Sequence, residues 1–192
     1  MNYNEIKSEI VSSDKFEINL MELKARLGYD FSMSEVEPYI KQIKDCATFK
    51  YACRILPLTV ENSCVRIGES TVESASLSKV LQGCRNVVLL AVTCGTSVDR
   101  SITRAHYKSP SEGFILDAVA SAYIESFIDY VDDIISQSMD TTKRFSPGYS
   151  DFPLDYQVAL LDYLDAKKIG IDLTEKLLMV PTKSITAVLG VK

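Results

Sequence analysis

The stretch from Ser109 to about Ser138 most constrains how this chain folds. It opens on Ser109-Pro110-Ser111, a capping residue ahead of a proline suited to the first helical position, and its spacing predicts one long helix. Ile115, Ala118, Val119, Ala122, Tyr123, Phe127, Ile128, Val131 and Ile134 cover most of the helix circumference, so other elements must pack on most sides of it. One polar stripe remains. Asp117, Ser121, Glu125 and Asp129 follow at spacing four and share one narrow face. That face is either solvated or the lining of a ligand groove with Glu125 at its middle.

Elements able to surround such a helix lie on both sides of it. Asn4 to about Arg26 reads as two short helices, broken near Ser12-Ser13-Asp14 and stopped by Gly28, and Ser32 to Cys46 as a third capped by Ser32 or Ser34. Alternation in "ATFKYACRILPLTV" and "SCVRIG" predicts strands, and the unbroken apolar run Val87 to Thr93 predicts a buried central strand. A helix starting at Thr96 or Ser97 follows. Beyond the long helix, Pro153 to Lys168 reads as helical up to Gly170, and "EKLLMVPTKSITAVLGV" supplies one or two last strands. Helices first and strands without regular alternation indicate an α+β fold, a single domain over 1–192 with a twisted, mainly antiparallel sheet and flanking helices. Residues 1–48 form its helical N-terminal part and 49–192 the core with the groove.

Composition removes several functions. With 192 residues, 46% apolar and 24% charged, the chain can bury a core of ordinary proportions. A net charge of −5 without a dense Lys/Arg cluster argues against nucleic acid. No run reaches membrane-span length and Met1 to Glu5 lacks a signal-peptide pattern, so a cytoplasmic protein with no membrane partner is expected. Cys46, Cys53, Cys64, Cys84 and Cys94 contain no C-x-x-C pair, and His106 stands far from them in sequence, which predicts buried free thiols at most of these positions and no metal. Neither G-x-G-x-x-G nor G-x-x-x-x-G-K-[ST] occurs.

The connector "KRFSPGYSDFPL", Lys143 to Leu154, carries more than a linker needs. Arg144 offers a permanently charged fork suited to a carboxylate or phosphate. Pro147-Gly148 fits the two central positions of a type II turn, where glycine takes positive φ and lets a ligand approach the backbone. Tyr149, with Phe145 and Phe152, offers ring faces. The combination suits a small anionic molecule with a flat ring; the competing reading is a packed turn whose arginine pairs with Asp151 or Asp155. Two other spots have plainer readings: Cys94-Gly95-Thr96-Ser97 as an ordinary strand-to-helix turn and His106 as a surface histidine, with no catalytic residue at a recognisable spacing.

"RFSPGYSDFPLDYQ" and "IGIDLTEKLLMVPTKSITAVLGV" resemble the S-adenosylmethionine-binding activation domain of cobalamin-dependent methionine synthase. An arginine, two residues, then Pro-Gly-Tyr is the most specific element of that resemblance. "LDAVASAYIESF" is similar to the family's long helix with its internal glutamate, and "AVTCGTSVDRSI" to a strand and turn of free-standing members. The likeness covers about Val87 to Val191 and is loose before that.

The resemblance implies that S-adenosylmethionine is the ligand, with Arg144 at its carboxylate, Glu125 at its ammonium and the backbone around Ser146, Gly148 and Tyr149 at its adenosyl part. Asp129 or Asp151 would add negative charge near the sulfonium. The corrinoid pattern D-x-H-x-x-G is absent, so cobalamin is expected on a partner, a corrinoid-carrying methionine synthase core protein, with an electron donor such as flavodoxin. The chain stops after Val191, before an aromatic-bearing segment of the long enzymes. The expectation is thus a free-standing activation subunit of a split methionine synthase. Its alternatives are a reactivation subunit for another corrinoid methyltransferase and a non-catalytic ligand-sensing or assembly module.

Overall fold

The computed structural model describes residues 5–192. The reading of Met1 to Asn4 as free of a leader, and the start of the first expected helix at Asn4, lie outside the described residues.

The order is β1 (Lys7–Val11), α1 (Leu20–Leu27), α2 (Met33–Cys46), β2 (Phe49–Glu61), β3 (Cys64–Ile67), β4 (Ser70–Glu73), α3 (Ala75–Leu81), β5 (Asn86–Thr93), α4 (Thr96–Lys108), α5 (Pro110–Ser136), α6 (Tyr156–Tyr163), a 3-10 turn (Ala166–Ile169), β6 (Asp172–Leu173), β7 (Met179–Val180) and β8 (Ser184–Val191). β2 is long enough to serve two neighbours on one edge. Its first half pairs with β1, Val11 opposite Phe49, and its second half with β3, Leu58 opposite Ile67. Along its other edge runs β5, and β8 follows, all antiparallel in the order β4-β3-β2-β5-β8.

The apolar run in β5 is continuous because the sheet is covered on both faces. Val88, Leu90 and Val92 enter a core with α1, α2, α4 and α5, while Val87, Leu89 and Ala91 face α3, α6 and the 3-10 turn. α5 lies in the first layer with Leu116, Val119, Tyr123, Phe127 and Val131 wholly buried. Its start is as expected: Ser109 caps it and Pro110 occupies the first turn. Together these features give the expected α+β fold, one domain of mixed helices on a curled antiparallel sheet. No helix among the described residues is long and apolar enough to cross a membrane.

Four departures have physical causes. Lys7–Val11 is a strand where a helix was expected: five residues are too few for a helix without support, and the free edge of β2 takes them. Lys7 and Glu9 then share a face and pair at 2.9 Å, which i,i+2 residues on a helix do not. α6 ends at Tyr163, and Asp165, at φ 47°, turns the chain into the separate 3-10 turn. α3 was not anticipated; it is short and begins under a cap supplied from elsewhere, described below. Nor was β4, which closes a hairpin on β3.

The connector after α5 does not wander over the surface. Thr141 and Phe145 bridge to Val191 and Val188, so it lies along the outer edge of β8. Gly190 permits this closeness. A Cβ there would stand 2.6 Å from Cys84 Sγ and 3.1 Å from the Thr142 methyl.

Candidate functional site

Where the connector leaves β8, a groove of about 550 Å³ opens between α5, the Pro147-Gly148 turn, α6 and the start of β8. Glu125, Arg144, Ser146 and Tyr149 line it, together with Asp132, Gln157 and Thr186. Gly148 sits in the adjoining turn at φ 89°, with the Tyr149 amide donating to Ser146 O at 3.2 Å, as a type II turn requires. The structure thus gathers four of the five expected residues on one groove and the fifth beside it.

Packing fixes this turn. The Gly148 amide donates to Phe152 O at 2.8 Å, and Phe152 is fully buried, its ring stacked on Phe145 at 6.0 Å. Tyr149 is left 69% exposed, with its ring beside the groove and 6.3 Å from Phe145. Two of the three rings are therefore structural and one is free to cover a ligand.

Arg144 does not pair with Asp151 or Asp155. Its guanidinium meets the acids of α5: Asp129 at 2.6 Å, Asp132 at 3.4 Å and Glu125 at 3.8 Å. Burial acts to lower its pKa, but the hydrogen bond and attraction to Asp129, with the charges of Asp132 and Glu125, outweigh that and hold it above the ordinary value. Burial raises the Glu125 carboxyl, against the pull of Arg26 and Arg144, and burial likewise raises Asp132 against Arg144.

Glu125 has a second cation. Arg26, on α1, reaches it at 3.4 Å and is itself held by Glu22 at 2.8 Å. Nothing local in the sequence marks Arg26, because the contact spans 99 residues. Asp132 was findable: it lies seven residues after Glu125, two helical turns along the same face. The polar stripe on α5 is not a bare solvated face, since Lys183 bonds Asp117 at 2.9 Å and Ser121 at 2.8 Å.

Asp151 is engaged elsewhere and is not available to a ligand in the groove. Its carboxylate accepts from Ser74 Oγ at 2.7 Å and from the Ala75 and Ser76 amides, capping α3. The Ser74 hydrogen bond, against some desolvation and with further hydrogen bonds from Ser76 and the Ala75 amide, lowers it to about 2. The turn at Gly95 is an ordinary connection, its amide closed onto Thr93 Oγ1 at 3.1 Å, and His106 is a surface residue.

The structure is a mixed fold with a groove whose wall holds an arginine among acids, next to a glycine turn. The crystal structure of the MetH reactivation domain bound to AdoHcy matches with a TM-score of 0.73, covering 97% of this chain and 78% of that one at 14% identity. The fold is that of the MetH reactivation domain. No family model matches the sequence, and no curated protein does.

Proposed function

We propose that this chain is an S-adenosylmethionine-binding activation module that supports reductive methylation of a cobalamin carried by a partner, as the activation subunit of a split cobalamin-dependent methionine synthase. The observation that carries the reading is the placement of Arg144 and Glu125 side by side on one groove, 3.8 Å apart, beside the Gly148 turn. An α-amino acid head group carries a carboxylate and an ammonium on one carbon, and this cation–anion pair is its complement. The solved neighbour's AdoHcy has such a head group.

S-adenosylmethionine supplies an electrophilic methyl group on its sulfonium. The residues of this chain would bind and orient it: Arg144 takes the carboxylate in exchange for Asp129, Glu125 takes the ammonium, and Tyr149 closes over the adenosyl part with the backbone of Ser146 and Gly148. The released Asp129 faces the ligand's positive charge. The nucleophile would be Co(I) on the partner, formed from Co(II) by one electron from a donor such as flavodoxin, so no catalytic base is needed here.

Calorimetric titration with S-adenosylmethionine, with ATP as a control, tests the reading. Selective binding is expected. Arg144→Ala should weaken it by about 1.5 to 3 kcal/mol for each charge-assisted hydrogen bond lost; binding as tight as that of the parent would sink the assignment. Methyl transfer to cob(I)alamin on a corrinoid protein then separates an activating role from ligand sensing alone.

A further inference from the structure

On the other side of α6 lies a second and larger groove, about 720 Å³, walled by α6, β4, the 3-10 turn and β6. The groove of the proposed ligand takes Gln157 from this helix, whereas Val158, Ala159 and Asp162 line the second groove. None of the chemistry above uses it.

Its two chemical features coincide. The floor is apolar, and Val158 on it is 50% exposed; outside the lining, on the β6–β7 hairpin, Leu178 is 62% and Val180 43% exposed. The hairpin is tied to α6, since Gln157 Nε2 donates to Leu177 O at 3.0 Å, and Val180 stands opposite Asp172. Around this floor sit Asp155, Asp162, Asp165 and Asp172. Lys167, the one cation in the lining, pairs with Asp172 at 3.7 Å, and Lys168 beside it pairs with Asp165 at 2.6 Å, which leaves Asp155 and Asp162 as the acids with no lysine on them among the described residues. Tyr156 also lines the groove, only 6% exposed, and its phenol oxygen is buried without a hydrogen-bond partner.

Exposed apolar surface rimmed by charge marks an interaction site, and the sign of the rim selects the partner. Asp155, at the N-cap of α6, and Asp162, within it, bracket Val158 and Ala159, with the two acids about 10 Å apart along the axis. An amphipathic helix with an apolar stripe and lysines or arginines flanking it presents the matching pattern. We propose that this groove is a docking site for a basic amphipathic helical segment of a partner protein, whose apolar face covers Val158 and extends over the flanking Val180 and Leu178 while its cations meet Asp155 and Asp162 and compete with Lys167 and Lys168 for Asp172 and Asp165. The inference is independent of the ligand assigned to the other groove.

A synthetic leucine/lysine amphipathic helix serves as the probe, titrated into the full chain by calorimetry and followed by amide chemical shifts. Two controls accompany it: a peptide of the same composition with the amphipathic order scrambled, and a leucine/glutamate version. Binding at least tenfold tighter than either control, with shifts centred on residues 155–180, is expected. Val158→Asp and Leu178→Asp change exposed positions and should each weaken the lysine peptide at least fivefold, whereas Arg144→Ala should leave it unchanged. Equal binding of the scrambled peptide would mean a bare acidic surface and overturn the proposal. So would shifts mapping elsewhere, or unchanged affinity in both aspartate variants. Failure of S-adenosylmethionine to bind would leave the result intact, and the two readings therefore fail separately.

Discussion

Arg144 is already occupied in this structure, and that sets what can displace its partners. Asp129 at 2.6 Å holds it in a half-buried wall where the charge is worth more than at the surface. A neutral molecule offers no substitute for that carboxylate; a zwitterion offers one and compensates the acid it displaces. Glu125 adds a pH dependence. Its carboxyl is raised by burial, so as pH falls it takes up a proton before an ordinary glutamate would, and its pull on a ligand ammonium is lost. Affinity for S-adenosylmethionine should therefore decline on acidification at a pH above the ordinary glutamate range, and Glu125→Gln should bind more weakly with that decline abolished, as titrations across pH would read. Asp151 behaves in the opposite way. Its folded value, about 2, lies below the ordinary 3.8, so the stability it gives is present above that ordinary value and is lost as pH falls through about 2. Asp151→Ala should lower stability at neutral pH and flatten the acid limb of the unfolding profile.

Elements of this fold were readable from sequence to the extent that they carry their own periodicity. α5 and β5 were predicted because a long helix with apolar residues most of the way round and an unbroken apolar run have few other solutions. β1 was not, because "KSEIV" has little pattern of its own and owes its conformation to the edge of β2. α3 was missed for a similar reason: part of what starts it is Asp151, 76 residues from Ala75. The candidate site divides along the same line. Glu125 and the Arg144 to Tyr149 turn are legible as a helix face and a turn, whereas Arg26 joins the site only through tertiary contact. Close packing of elements also yields a prediction. Gly190→Ala puts a methyl against Cys84, Leu81 and Thr142, and the connector that carries Arg144 is bonded to the same residue, with the Thr142 amide donating to Gly190 O at 2.9 Å. Destabilisation of about 1 to 3 kcal/mol in urea unfolding is expected, with weaker ligand binding than the parent.

For the whole molecule, ligand binding and folding are one linked equilibrium. The groove is built from α5, the connector, α6 and β8, elements from both layers of the structure, so a ligand there bears on the native arrangement as a whole. At a free concentration a hundredfold above its dissociation constant, S-adenosylmethionine should add about 2.7 kcal/mol and raise the melting temperature by roughly 5 to 10 °C for a chain of this size. Thermal scans of the parent and Arg144→Ala at the same ligand concentration would show the rise in the first and little in the second. One further consequence concerns how such a chain changes over generations. Gln157 and Val158 are consecutive residues of a single helix, yet each lines a different groove. Drift at one position can recast one surface while leaving the chemistry of the other untouched, but any shift of the helix itself moves both. Lineages are free to exchange partners or ligands separately, provided the helix stays where it is.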